Sequence, residues 1–270
     1  MLALSALVPI GKPLQSAAQS NAGAADTPKK FLVYDNMGYP GKPDTAPLGL
    51  VNCTIINLNK AWTDKANHVA DETAVKEAVR AAARKPGPLV YDIEYVHDFK
   101  LFLNLVEWAH EAVPGCVVGY YGHGLYPEQP SKAQRADAAE LAAAVDAFFP
   151  SAYTYNDNRE KWKNEVNGLV QAAHRLAPGK PVYPYIWPQY HKGTAKQFHL
   201  VDGDYWKFQL DTARECGADG VVIWSGGKPE WNDKAGWWEE TLTFITGNPV
   251  VENSNHSESK NDQGGLEETK

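Results

Sequence analysis

The chain has 270 residues, enough for one large domain or two small ones. Hydrophobic residues make up 43% and charged residues 22%, a globular balance that excludes wholesale disorder. The formal charge is −7, which argues against a general nucleic-acid binder, because such a protein needs a basic face.

Residues 1–29 read as a leader. Residues 2–10 are apolar and an Ala/Ser/Gly/Asn-rich stretch follows, which resembles the core and cleavage zone of an export signal, although no charged residue precedes it. A secreted or periplasmic protein is therefore expected, with a cytoplasmic one as the alternative. No apolar run is long enough to span a membrane. Residues 249–270 are polar, without periodicity and rich in acids, and read as a disordered tail.

Between these ends, from 30 to 248, short β-branched or aromatic runs alternate with helical patterns. The expected strands are Phe31–Asp35, Cys53–Leu58, Leu89–Glu94, Cys116–Tyr121, Phe148–Tyr153, Pro181–Trp187 and Gly220–Trp224, each bounded by Gly, Pro or Asn. Helical spacing of apolar residues predicts helices over Asp71–Arg84, Asp98–Val113, Ser131–Ala147, Asn158–Leu176, Gly203–Cys216 and Asp233–Ile245. Only the first inter-strand gap lacks an obvious helix. Strands and helices alternating in this way imply a parallel sheet with helices outside it. The turn after the first strand, YDNMGYPG, has no GxGxxG, so an open dinucleotide-binding sheet fits poorly. A TIM-like (β/α) barrel of seven strands fits better, and in such barrels function sits at the C-terminal ends of the strands.

Acids, amides and aromatics collect at those ends: Asp35 and Asn36 after the first strand, Asp92 and Glu94 on the third, Tyr121 on the fourth, Tyr153 on the fifth, Tyr185 and Trp187 on the sixth, Trp224 on the seventh. With 9 Trp and 13 Tyr in the chain, this composition suits a site that stacks sugar rings and hydrogen-bonds their hydroxyls. Residues two apart on a strand share a face, so Val90, Asp92 and Glu94 should point one way and Tyr91 and Ile93 the other. Two carboxyls entering one mouth resist ionising together, and the one that keeps its proton can act as a general acid. A two-carboxylate glycosidase also needs an acid across the sugar ring. Asp35 is the other acid squarely at a strand end.

The three cysteines, Cys53, Cys116 and Cys216, have no short spacing, and the eight histidines form no HExxH motif. Neither a metal nor another cofactor is expected.

In order along the chain, VYDNMGYP, VYDIEYV, VGYYGHGLYP, FFPSAY, PVYPYIWPQY and CGADGVVIWSG resemble blocks of the hyaluronidase family of glycoside hydrolases, from about residue 31 to 245. The resemblance implies a seven-stranded barrel and an endo-acting hexosaminidase with a polysaccharide or oligosaccharide as its partner. It also implies a retaining mechanism in which the substrate's own acetamido oxygen attacks. By position, Glu94 would be the proton donor and Asp92 would polarise the acetamido group, with Tyr121, Tyr153 and Trp224 lining its pocket. The chain departs from the family in having Asp35 in place of a non-acid, His97 in place of an arginine, and Leu125 where the family has an aspartate. It also lacks the family's paired cysteines. Two alternatives stand beside this reading: a sugar-binding barrel without turnover, and a hydrolase of non-acetylated glycans that pairs Asp35 with Glu94.

Overall fold

The computed structural model describes residues 30–64, 66, 67, 69–93, 98–122, 132–226 and 229–247. The expected leader and tail lie outside these residues, as do Glu94, His97 and Leu125.

The elements in chain order are β1 (Leu32–Asn36), β2 (Val51–Asn52), β3 (Thr54–Ile55), β4 (Trp62–Asp64), β5 (Val69–Ala70), α1 (Glu72–Ala82), β6 (Leu89–Tyr91), α2 (Phe99–Ala112), β7 (Val118–Tyr120), α3 (Lys132–Ala144), α4 (Arg159–Leu176), β8 (Tyr185–Ile186), α5 (Gly203–Glu215), β9 (Gly220–Trp224) and α6 (Gly236–Thr246). The gap that lacked a predicted helix holds a single 3-10 turn, Ala46–Leu48. The antiparallel β4–β5 hairpin, which sequence reading did not anticipate, precedes α1.

Parallel pairing runs from segment to segment until it returns to its start. β1 pairs with β9 along its whole length, from Leu32 opposite Gly220 to Asn36 opposite Trp224, and with β2 on its other side. Cys53 N–H donates to Asp35 O at 3.0 Å, after which the chain changes neighbour and β3 pairs with β6. β6 pairs with β7. The segment 148–151 bridges Tyr121, just past β7, through Phe149, and bridges the β8 run through Phe148 with Val182 and Ser151 with Tyr185. β8 pairs with β9 and the ring closes. The result is an α/β barrel.

The fifth and sixth runs, expected as continuous strands, are broken ladders for a covalent reason. Pro150, Pro181 and Pro184 have no N–H to give, so the pairing survives as single bonds such as Tyr183 N to Phe148 O (2.8 Å) and Tyr185 N to Pro150 O (2.8 Å).

Strand parity divides the core into two layers. Tyr34, Cys53, Val90, Phe149, Tyr183 and Val222 pack together inside the ring. Val33, Tyr91, Val118, Phe148, Ile186 and Ile223 face outward into the larger core beneath the helices. The helices begin where the sequence places their caps. Asp71, Asp98, Asn158 and Asp202 each accept a hydrogen bond from the backbone N–H three residues on, at 2.7, 3.0, 2.9 and 2.8 Å. α6 starts three residues later than predicted, behind Ala235, with no side-chain cap. No helix among the described residues is long and apolar enough to cross a membrane.

The ring leaves no room for a side chain at Gly119 in β7. A Cβ there would lie 2.4 Å from Ala147 O and 2.8 Å from the Phe149 ring. The carbonyl belongs to the next segment of the ring and cannot retreat without opening the pairing. Gly119→Ala should therefore cost about 1–3 kcal/mol of folding stability. The change should appear as a lower urea midpoint with an unchanged slope.

Candidate active site

The C-terminal ends of the strands surround a cavity of about 370 Å³. Of the residues expected at the site, Asp92, Tyr121, Tyr153, Tyr185, Trp187 and Trp224 all line it. Parity explains the convergence. Val90 packs in the inner layer while Tyr91 and Ile93 pack in the outer one, so Asp92, two residues beyond Val90, points to the mouth.

The aromatic wall is interlocked. Trp224 stacks on Tyr153 with centroids 5.5 Å apart and planes at 26°, and meets Trp187 edge-on at 4.9 Å. Tyr121 lies tilted against Tyr153 at 5.8 Å and edge-on to Tyr185 at 5.1 Å. The hydroxyl of Tyr121 is 2.9 Å from Ser151 Oγ, and that of Tyr185 is 3.6 Å from Cys53 Sγ. Trp187 Nε1 donates to Gln189 Oε1 at 3.1 Å. The polar tips of Tyr121, Tyr185 and Trp187 therefore have partners, while the ring bodies supply apolar surface.

Burial is the main reason that the Tyr121, Tyr153 and Tyr185 hydroxyls titrate above the ordinary tyrosine range. The charge of Asp92 raises all three further. At neutral pH these phenols stay protonated and remain hydrogen-bond donors.

Asp35 is a correction to the sequence reading. It does not line the cavity. Its Oδ1 accepts from Met37 N at 2.9 Å, and its Oδ2 accepts from Lys42 Nζ at 2.5 Å and from the Thr45 hydroxyl. Parity held the signal: Tyr34 packs inside the ring, so its neighbour Asp35 points away. Asn36 also lies outside the lining. Its Nδ2 donates to Cys53 O at 2.8 Å, and its buried Oδ1 has no partner among the described residues. Glu94 lies outside the described residues.

His191, Lys192 and Phe198 are three further residues outside the set expected above. All three line the cavity from the loop after β8. His191 stacks near Tyr153 with centroids 5.7 Å apart and planes at 23°. The stretch HKGTAKQF looks like an ordinary polar loop, and nothing in its periodicity tells which way it folds.

Among solved structures, the chain is similar to bee venom hyaluronidase, with a TM-score of 0.55 at 15% identity, over 80% of this chain and 96% of that one. It is similar also to bee venom hyaluronidase in complex with a hyaluronic acid tetramer, with a TM-score of 0.52 at 16% identity, over 80% and 95% of the two chains. At these identities the likeness is one of fold. No family model and no curated protein sequence matches the chain.

Gly226 holds Trp224 in place. A Cβ on Gly226 would fall 1.9 Å from the Trp224 indole, so the ring lies directly against the glycine's backbone. Gly226→Ala should swing the indole out of the wall while leaving the barrel folded. Near-UV circular dichroism should lose the same band that Trp224→Phe removes, and the far-UV spectrum should stay unchanged.

Proposed function

We propose that the protein is a glycoside hydrolase that cleaves glycans at an N-acetylhexosamine residue, acting within the chain, with the substrate's acetamido group as nucleophile. The observation that carries this reading is one carboxylate set in an aromatic cup. Among the described lining residues Asp92 is the sole acid, and it stands beside Tyr121, Tyr153, Tyr185, Trp187 and Trp224. Aromatic walls suit the C–H faces of a pyranose, and phenol donors suit its oxygens. The barrel shared with a hyaluronidase crystallised with a hyaluronic acid tetramer is consistent with a carbohydrate substrate.

In this reading the acetamido oxygen attacks the anomeric carbon as the glycosidic bond breaks. Asp92 accepts the acetamido N–H and stabilises the positive charge that develops on the nitrogen. Glu94, two residues further along, gives its proton to the departing oxygen and then takes one from the water that opens the cyclised intermediate. The two displacements at one carbon retain its configuration. Holding the nucleophile beneath the anomeric carbon supplies several kcal/mol of the barrier. The ties of Asp35 to Lys42, Thr45 and Met37 speak against pairing it with Glu94 on non-acetylated glycans.

Glu94→Gln should lower kcat by roughly 100- to 10,000-fold while binding changes little. Asp92→Asn should also lose most activity, and Asp35→Asn should matter less. The assay is reducing-end release from hyaluronan, chondroitin, chitin oligomers and peptidoglycan. A thiazoline mimic of the cyclised intermediate should inhibit competitively. Efficient cleavage of a glycan without a 2-acetamido group, together with an Asp35→Asn defect as deep as that of Glu94→Gln, would sink the mechanism.

A further inference from the structure

The loop from Pro188 to Val201 carries an aromatic residue in a conformation that its own chemistry resists. Phe198 has φ of 64°, the only positive φ at a non-glycine position among the described residues. A bulky L-residue is a steric outlier there, whereas glycine is not.

The backbone around Phe198 is fixed from both sides. Its N–H donates to Tyr190 O at 2.9 Å, its carbonyl accepts from Gln189 Nε2 at 2.5 Å, and Tyr190 N donates to His199 O at 3.0 Å. The first two bonds use main-chain groups of residue 198 and would serve glycine equally well. Core packing does not account for the ring either, because Phe198 is 45% exposed. Its one ring partner among the described residues is Trp187, at 5.9 Å. Yet it lines the same cavity as Asp92. Strain retained at a site is a pointer to function when neither the backbone nor the core explains it.

The surroundings extend the surface. Trp187 is also within 6.0 Å of His191, and His191 lies 4.7 Å from Tyr155. Tyr155 is 49% exposed, and it and Phe198 are the two aromatics among the exposed large hydrophobic side chains of the described residues. Two of the chain's exposed aromatics thus flank one cavity mouth, joined through His191 and Trp187.

We propose that Phe198, with His191 and Tyr155, forms a stacking platform for a further pyranose ring of the glycan, outside the position held at Asp92. This rests on the glycan-hydrolase reading and adds to it a place for a neighbouring sugar unit. It makes the loop after β8 the element that selects for chain length. A ring stacked on Phe198 gains apolar contact without needing any particular hydroxyl pattern.

The test uses the full-length protein and its Phe198→Gly and Phe198→Tyr variants, titrated by calorimetry with the disaccharide and the hexasaccharide of hyaluronan and of chitin. Glycine fits the observed φ, so the melting temperature of Phe198→Gly should be unchanged or raised by about 2–4 °C. The ratio of hexasaccharide to disaccharide affinity should fall by about 3- to 10-fold in Phe198→Gly, the range expected for one aromatic contact. Phe198→Tyr should restore it. An unchanged ratio in a folded Phe198→Gly variant overturns the platform and leaves the hydrolase reading standing. A parent protein that binds none of these oligosaccharides overturns both.

Discussion

Closure of the ring between β1 and β9 is the constraint on which the mouth depends. These strands lie near opposite ends of the described residues, yet they pair residue for residue from Leu32 and Gly220 to Asn36 and Trp224. The register fixes where each strand stops. It also lets Gly38 N–H reach Ser225 Oγ at 2.7 Å across 187 residues of sequence, tying the first loop to the last strand. If this seam opened, Trp224 would leave Tyr153 and Trp187, and the cup would lose one wall. The cavity is thus a property of the closed sheet rather than of any local motif. Contacts of such long sequence separation form only as the whole ring condenses.

Much of this was legible from strand parity and capping. The bounds of β9 agree with the predicted run, and Asp71, Asp98 and Asn158, read as helix starts, serve as N-caps. Asp92 faces the cavity because Val90 faces inward, a two-residue relation that any strand obeys. The same relation applied to Tyr34 would have removed Asp35 from the site. The loop after β8 was not legible. Its course is set by tertiary bonds such as His191 N to Thr154 O (2.8 Å) and the Lys196–Asp157 ion pair (2.7 Å), and their partners lie more than thirty residues away. No local pattern encodes them. The broken fifth segment was misread as a regular strand because its β-forming residues outvoted Pro150, whose missing N–H decides the ladder.

Asp92 and Asp35 show how placement divides one residue type into two roles. Asp35 meets an ammonium, a hydroxyl and a backbone N–H, and serves to anchor the loop that follows β1. Asp92 stands at a cavity wall whose nearest phenols are held protonated by burial. Its charge in turn discourages the phenols from ionising, so these three hydroxyls keep their protons across the neutral range.

The loop from Pro188 to Val201 is also pinched at its neck. Val201 N donates to Pro188 O at 3.0 Å, and Gln189 and Leu200 bridge just inside. A segment whose two ends already touch can be exchanged for another of different length with little change to the barrel beneath it. The carboxylate at residue 92 and the aromatics on the strand ends belong to the barrel, whereas His191, Lys192 and Phe198 belong to the insert. On the proposed reading, chemistry and ligand preference reside on separable pieces of the chain, and one can diverge while the other is held fixed.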